Sequence, residues 1–495
     1  MLFNSLGFLV FFPIATILYV VFPKKIKNLW LLFASYYFYS CWNAKYTILL
    51  FTTTFVTFIF GIIIQVQNDK SFQNQKSTKI IKNLCLIFTL VFNFGILFFF
   101  KYYDWLFTFI ECSLNAFNIS FSFKKANVIL PVGISFFTFQ AVGYTIDVYK
   151  NQIKAEKNFL KFALFVSFFP QLVAGPIERS KNLLSQLEKT YTFDFDRAKK
   201  GFLIMLFGFF VKIAIADRAA ILVNQVYGNF ENYYGLEIIV ATLCFALQIY
   251  CDFMGYSTIA RGAALIIGIK LTDNFKQPYF ALSIKDFWHR WHISLSLWLK
   301  DYVYIPLGGS RFGKMKKYFN LLTTFFISGL WHGASWNFGA WGLFHGFLQV
   351  IEDFFKNLGQ KLCKILKIKT ECFSFDFFMR IKTFIFVCFA WVFFRATSLK
   401  NALKIIKRML HITNFDIFLN GKIYELGLNV FNFTVLIFAT VVLFVISFLR
   451  EKKLLTFEWF KSQNALFKVF ACWILLTLII FSLNLSGKEF IYFQF

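Results

Sequence analysis

Charge is scarce in this chain. Only 16% of its 495 residues are Asp, Glu, Lys or Arg, whereas 58% are hydrophobic and 22% aromatic. That composition excludes a soluble globular domain and matches what a polytopic helical membrane protein requires. Acidic residues are the scarcer sign, 25 against 52 basic ones, which leaves a net charge of +27. Nucleic-acid binding is the reflex explanation for so basic a chain. The cations, however, sit in short connectors, Lys24 to Lys27, Arg311 to Lys317, Lys361 to Lys369 and Arg450 to Lys453. This is the pattern of cytoplasmic loops touching anionic membrane lipids. No soluble basic domain is available to hold nucleic acid, and none is expected as a partner.

Other absences narrow the class further. The nine cysteines are scattered singly with no CxxC pair, so they read as small buried hydrophobes rather than a disulfide framework. The apolar run Met1 to Val21 has no basic residue before it and no small-residue cleavage site after it. It reads as an uncleaved first helix with its N-terminus outside, because the positive cluster follows it. Internal repeats, low-complexity tracts and long linkers are missing too, and residues 1–495 read as a single integral membrane domain.

Apolar segments of membrane length are centred near residues 46–65, 84–102, 128–148, 160–176, 199–216, 236–268, 319–350, 379–396, 431–449 and 465–484. With the first helix they predict an all-α polytopic protein of about ten to thirteen helices. The 236–268 and 319–350 runs exceed one crossing and carry Asp252, Gly255, His332 and Gly339, so each is expected to be broken, tilted or re-entrant. Residues 281–304 mix Trp and Leu with Lys, Arg, His and Asp. They are too polar to span lipid alone and suit the headgroup level or a wet funnel. Ser283 is placed to cap a helix there, with Asp286 as an acidic variant of the capping box.

Polar residues at membrane depth are the candidate site. His332 lies in Ser328-Gly329-Leu330-Trp331-His332-Gly333-Ala334-Ser335-Trp336-Asn337, and an intramembrane ionisable residue normally faces a cavity or a partner. Trp331 and Asn337 are candidate lining residues. His292 is on a separate segment, joined through the Gly308-Gly309-Ser310-Arg311 turn. Two imidazoles meeting in a cavity suit activation of a nucleophile and stabilisation of its leaving group. His345 falls roughly 140° around from His332 on an unbroken helix and reads as packing or as a support behind the site. Gln248 and Asp252 form another polar line, with Arg261, Arg290 or Arg311 as expected partners of Asp252. Asp286, His289 and His292 recur at intervals of three and would share one side of a helix. That spacing is a poor metal site, and no bound metal is expected.

Jointly these blocks resemble the membrane-bound O-acyltransferase superfamily, in its bacterial polysaccharide branch. That branch holds the alginate O-acetylation membrane protein, the peptidoglycan O-acetyltransferase membrane subunit and the teichoic-acid D-alanyl transferase. The matching blocks are Pro131–Lys150, Phe168–Arg179, Gln248–Ala260, Asp286–Gly309, Gly329–Gly346 and the tail Phe490–Phe495. The resemblance implies a ring of helices with re-entrant or tilted members around a thin centre, and a multi-pass protein of the bacterial inner membrane. It implies that His332 is the essential active-site histidine, with His292 its polar partner. It also implies that Tyr492, in the aromatic tail, matches a tyrosine that a small partner in the related D-alanylation system presents to receive the acyl group; as plain chemistry the tail also suits an interfacial belt. Trp331, Asn337, Gln248, Asp252, Trp298, Asp301 and Arg311 are the expected substrate-binding residues.

The mechanism that the resemblance implies starts from an acetyl thioester, most simply acetyl-CoA as a donor substrate, entering from the cytoplasm. His332 and His292 handle the proton. The acetyl group passes to a periplasmic SGNH-type transferase that O-acetylates a cell-envelope glycan, peptidoglycan first and an alginate-like or other exopolysaccharide second. No bound cofactor is expected. The rival from another class is a transporter with a His-lined pathway, which inverted repeats would favour.

Overall fold

A computed structural model describes residues 1–70, 75–173 and 175–483. Every regular element among these residues is helical, as is required where backbone groups must be satisfied inside hydrocarbon. Among the described residues five helices are long and apolar enough to cross a membrane: Ala44–Asp69, Lys76–Lys101, Leu236–Ile267, Phe373–Arg395 and Val430–Glu451. Leu6–Val21 and Ala465–Ile480 are shorter apolar helices. The protein is therefore an all-α, multi-pass membrane protein. The described residues pack as two compact units, one of Met1–Met205 with Ile259–Thr272, the other of Leu206–Thr258 with the chain from Asp273 on.

The first unit holds α1 (Leu6–Val21), α2 (Lys24–Ser40), α3 (Ala44–Asp69), α4 (Gln75–Lys101), α5 (Tyr103–Ala116), α6 (Ile134–Tyr149), α7 (Phe159–Ser167), α8 (Phe169–Leu172), α9 (Ser180–Leu187) and the start of α10 (Phe195–Phe209). Ser5, Asn43 and Asn158 cap α1, α3 and α7 by accepting from backbone N–H groups, which satisfies donors that a helix start leaves unpaired. Gly133 precedes α6 with φ 74°, and a Cβ there would lie 2.4 Å from the Leu172 carbonyl oxygen; only glycine fits so close an approach. Gln140 and Gln171 both donate to the Phe165 carbonyl, at 2.8 and 2.7 Å. The blocks around Pro131 and Phe168 are thus joined by side-chain amides rather than by apolar contact alone. Buried Glu178 accepts from the Thr272 amide and from Asn182. Burial raises its carboxyl above the usual range, while those hydrogen bonds and the Arg261 charge pull it back.

The second unit takes in the end of α10, a π-helical turn (Phe210–Ala216), α11 (Asp217–Gly228) and most of α12 (Leu236–Ile267). It continues with α13 (Ile284–Arg290), α14 (Ile293–Leu299), a second π-helical turn (Lys300–Tyr304), α15 (Gly313–His332), α16 (Trp336–Ile365) and α17 (Phe373–Arg395). α18 (Leu399–Met409), α19 (Val430–Glu451), α20 (Phe457–Ser462) and α21 (Ala465–Ile480) complete it. The 319–350 run is broken as expected, at Gly333 to Ser335. The 236–268 run is not: α12 continues through Asp252 and Gly255 as one helix of 32 residues. Its carboxylate is neutralised from outside the helix, so no break is needed.

α15 and α16 form a hairpin whose backbones touch. A Cβ on Gly329 would lie 2.2 Å from the Phe338 carbonyl oxygen, and one on Gly342 would lie 2.1 Å from that of Phe325. This is the small-residue packing by which helices associate in a medium that offers no hydrophobic drive. It fixes the end of α15, and with it His332, against the start of α16.

Candidate active site

His332 is the last residue of α15 and is 3% exposed. Its ring is enclosed by aromatic rings set nearly perpendicular to it: Trp331 at 4.9 Å between centroids, Trp341 at 5.0 Å and Phe394 at 5.3 Å. Ending α15 at Gly333 and restarting at Trp336 turns the chain back at the histidine instead of carrying it past.

His292 is positioned by a second break. It lies between α13 and α14 in the left-handed region, φ 42°, a conformation that costs a non-glycine residue about 1–3 kcal/mol and persists only where the surroundings impose it. Here Asn274 imposes it. The Asn274 carbonyl accepts from the Ile293 amide at 3.0 Å and its side-chain oxygen from the Ser294 amide at 3.2 Å. The fully buried His292 ring meets Phe253 of α12 at 4.6 Å and Trp331 at 5.8 Å. Trp331 therefore touches both histidines, and the two predicted imidazoles converge on one indole.

The break at His292 corrects one expectation. α13 ends at Arg290, so Asp286, His289 and His292 do not line a common helix face. Asp286 instead accepts from Arg290 at 2.9 Å, and Arg290 also donates to Glu451 at 2.7 Å. Burial works against the guanidinium charge, but the two carboxylates outweigh it and hold its pKa above the ordinary value. Ser283 caps α13 by accepting from the Asp286 amide. Asp286 returns its carboxylate to the Leu282 amide, one residue before the position the capping box predicts. Among the described residues no three His, Cys, Asp or Glu side chains group to hold a metal.

Asp252 is paired by Lys212, a residue not considered from sequence. Lys212 sits in the π-helical turn after α10, 2.5 Å from Asp252 and 2.8 Å from Asp217. Gly255 permits this, since a Cβ there would come 2.9 Å from the Lys212 Cβ. A signal for Lys212 existed, a lone lysine in the apolar run 201–216 that cannot stay charged there without a partner. Gln248 is buried one turn before Asp252 on α12.

The remaining expected residues separate. Asn337 donates to the Phe393 and Ala396 carbonyls at 3.1 and 2.8 Å, so its amide caps α17 and anchors that helix beside His332. Trp298 is buried on α14 and packs on Tyr302 at 4.9 Å. Asp301 is half-buried in the second π-helical turn. Arg311 is exposed just ahead of α15, whose 20 residues put it about 30 Å along the axis from His332; the structure does not bring it to the histidines. Tyr492 and the Phe490–Phe495 tail lie outside the described residues.

His345 packs behind the site, as its sequence reading has it, but not for the geometric reason given there. That reading assumed an unbroken helix, and the break at Gly333 removes the premise. His345 is fully buried, 5.1 Å from Trp341 and 5.2 Å from Trp288, so it shares the Trp341 ring with His332. Trp341 and Phe394, unmarked in the sequence reading, complete the enclosure.

Comparison with known proteins gives the family. The sequence model of the membrane-bound O-acyltransferase family matches residues 36–400. A peptidoglycan O-acetyltransferase of Helicobacter pylori is 35% identical over 452 residues, covering 84% of this chain and 81% of the relative. A Pseudomonas syringae protein named probable alginate O-acetylase AlgI is 36% identical over 404 residues, covering 81% and 74%. A teichoic acid D-alanyltransferase of Bacillus subtilis is 29% identical over 292 residues, covering 54% and 69%.

Proposed function

The chain belongs to the membrane-bound O-acyltransferase family and is an acyltransferase, and we propose that it moves an acetyl group across the bacterial inner membrane for O-acetylation of a cell-envelope glycan. The observation that carries this reading is His332, buried at the α15–α16 break and enclosed by Trp331, Trp341 and Phe394. An imidazole so placed is shielded from bulk water and can exchange a proton with a reacting group in contact with it.

The donor is an acetyl thioester, most simply acetyl-CoA, from the cytoplasm. The bond from acyl carbon to sulfur breaks, a bond from acyl carbon to the acceptor hydroxyl oxygen forms, and the hydroxyl proton ends on the departing sulfur. His332 takes that proton from the hydroxyl and returns it to the thiolate, with His292 completing the polar end of the cluster across Trp331. The first acceptor on the outer side is Tyr492 or a hydroxyl of a periplasmic SGNH-type transferase, which then acetylates the glycan.

Peptidoglycan is the first choice of glycan, supported by the Helicobacter relative's name and coverage. The alginate O-acetylase relative, of equal similarity, favours an exopolysaccharide as the second. Deleting the gene and measuring ester-linked acetate on purified peptidoglycan and on extracellular polysaccharide separates them. Loss confined to peptidoglycan supports the first reading, loss confined to the secreted polymer the second, and unchanged acetate on both contradicts the proposal.

A further inference from the structure

α18 is too short to cross a membrane and carries four cations in its 11 residues. Ser398 starts it, accepting from the Asn401 amide at 3.2 Å. Around the helix its apolar residues fill one arc of about 160° and its cations another of about 100°, with no overlap. The fold uses only part of the apolar arc. Ala402 and Ile405 are buried where α18 packs against α17 and α16. Leu399, Leu403 and Leu410, at the far edge of the arc, are 38%, 57% and 71% exposed.

Lysines come next around the helix. Lys400 and Lys407 are exposed, and among the described residues neither pairs with a carboxylate. Lys404 reaches Glu231 at 3.2 Å, in an exposed pair that contributes little. Arg408 alone turns inward, to the Tyr233 carbonyl at 2.8 Å. An exposed leucine row therefore borders an exposed lysine row.

The place of α18 in the fold says what covers it. α17 begins just after the basic connector Lys361 to Lys369, and α19 ends at Arg450 to Lys453. Both helices are long and apolar enough to cross a membrane. α18 lies between them in the chain, so it sits at their other ends, where the positive-inside bias puts few cations. Its cations answer to some other anion. The segment is held level with the start of α12: the Arg408 carbonyl accepts from the Gly235 amide and the Asn414 side-chain oxygen from the Leu236 amide, both at 3.0 Å. Leucines bordering lysines at the end of membrane-length helices match the two layers of a phospholipid leaflet, acyl chains beside phosphates. A soluble partner offers no such continuous apolar layer.

We propose that α18 is a binding site for anionic phospholipid, in the leaflet opposite the basic connectors. Leu399, Leu403 and Leu410 enter the acyl layer, and Lys400, Lys404 and Lys407 hold the headgroup phosphates. The site is independent of the acyl-transfer reading, since none of these residues belongs to the histidine cluster.

The test places a photoreactive benzoylphenylalanine at position 403 of the full-length protein, in vesicles of equal parts phosphatidylcholine and phosphatidylglycerol. Mass spectrometry of the cross-linked peptide gives the ratio of the two lipid adducts within one preparation, which cancels any loss of folded protein. Phosphatidylglycerol should exceed phosphatidylcholine at least about threefold, because each basic residue near an anionic surface contributes about a fivefold factor. Lys400→Gln, Lys404→Gln and Lys407→Gln together should bring the ratio close to one, as should 1 M salt, where screening acts within about 3 Å. Lys452→Gln with Lys453→Gln should leave it unchanged. Equal labelling of the two lipids by the chain with its lysines intact, or an excess that survives all three substitutions, overturns the proposal. So does the absence of any lipid adduct. In the protein's own membranes an adduct to a protein instead of a lipid overturns it too, and makes α18 a docking helix.

Discussion

Lys212 and Asp252 form an ion pair at 2.5 Å with both side chains at most 3% exposed, deep in an otherwise apolar helix contact. Asp217 shares the same ammonium at 2.8 Å. Removing one partner of such a pair leaves a buried uncompensated charge, at a cost of about 3–5 kcal/mol. Lys212→Met should therefore lower the thermal midpoint of the detergent-solubilised protein sharply, and Asp252→Asn in the same chain should restore part of the loss. A single variant as stable as wild type would show that the pair does not hold α12 against the π-helical turn.

The α15–α16 hairpin makes a second prediction. Gly342→Ala places a methyl group 2.1 Å from the Phe325 carbonyl oxygen, and backbone on both sides leaves it nowhere to go. The expected destabilisation is about 1–3 kcal/mol or more, with lost activity, because the same contact sets His332. Gly359→Ala, where an added Cβ meets nothing within 4 Å, should be neutral. Equal melting behaviour of the two variants would refute the close-packing argument.

Topology follows from the second unit. Arg218 donates to Asn432 at the start of α19 and to the Phe481 carbonyl just past α21, at 3.3 and 2.6 Å. The chain therefore leaves α21 at the end of α19 opposite Arg450, Lys452 and Lys453. If those cations face the cytoplasm, a cysteine introduced at Phe481 is labelled by an impermeant reagent in intact cells with a permeable outer membrane, and one at Lys453 only after the inner membrane is opened. The reverse pattern would invert the predicted direction of transfer.

Much of this was legible in the sequence because intramembrane polar residues announce themselves. His332, His292 and the break at Gly333 followed from burial cost and glycine. The continuity of α12 did not, because it depends on Lys212, which is remote in sequence and on another element. Phe394 and Trp341 were invisible for a related reason: with 76 phenylalanines, nothing local distinguishes a ring that contacts His332 from those that face lipid. The clustering of Asp286 with His292 failed because a periodicity argument assumes an uninterrupted helix, and a left-handed residue ends it.

The tail allows a clean separation of relay from anchor. A phenyl ring fills nearly the volume of a phenol, so Tyr492→Phe should cost little if the tail is an interfacial belt. If Tyr492 accepts the acyl group, loss of its hydroxyl removes the nucleophile, and glycan acetylation should stop while expression persists. Mass spectrometry of the C-terminal peptide should then show an acetyl ester on Tyr492 in wild type. Full activity of Tyr492→Phe rules out the relay and leaves His332 untouched.

The central claim is that His332 carries the acyl-transfer chemistry, and the most direct measurement is ester-linked acetate on the glycan in cells whose only copy is His332→Ala. General acid–base groups contribute about 10²–10⁴-fold, so acetylation should fall at least about a hundredfold while membrane level and thermal midpoint stay near wild type. Near-normal acetate in that variant would contradict the account.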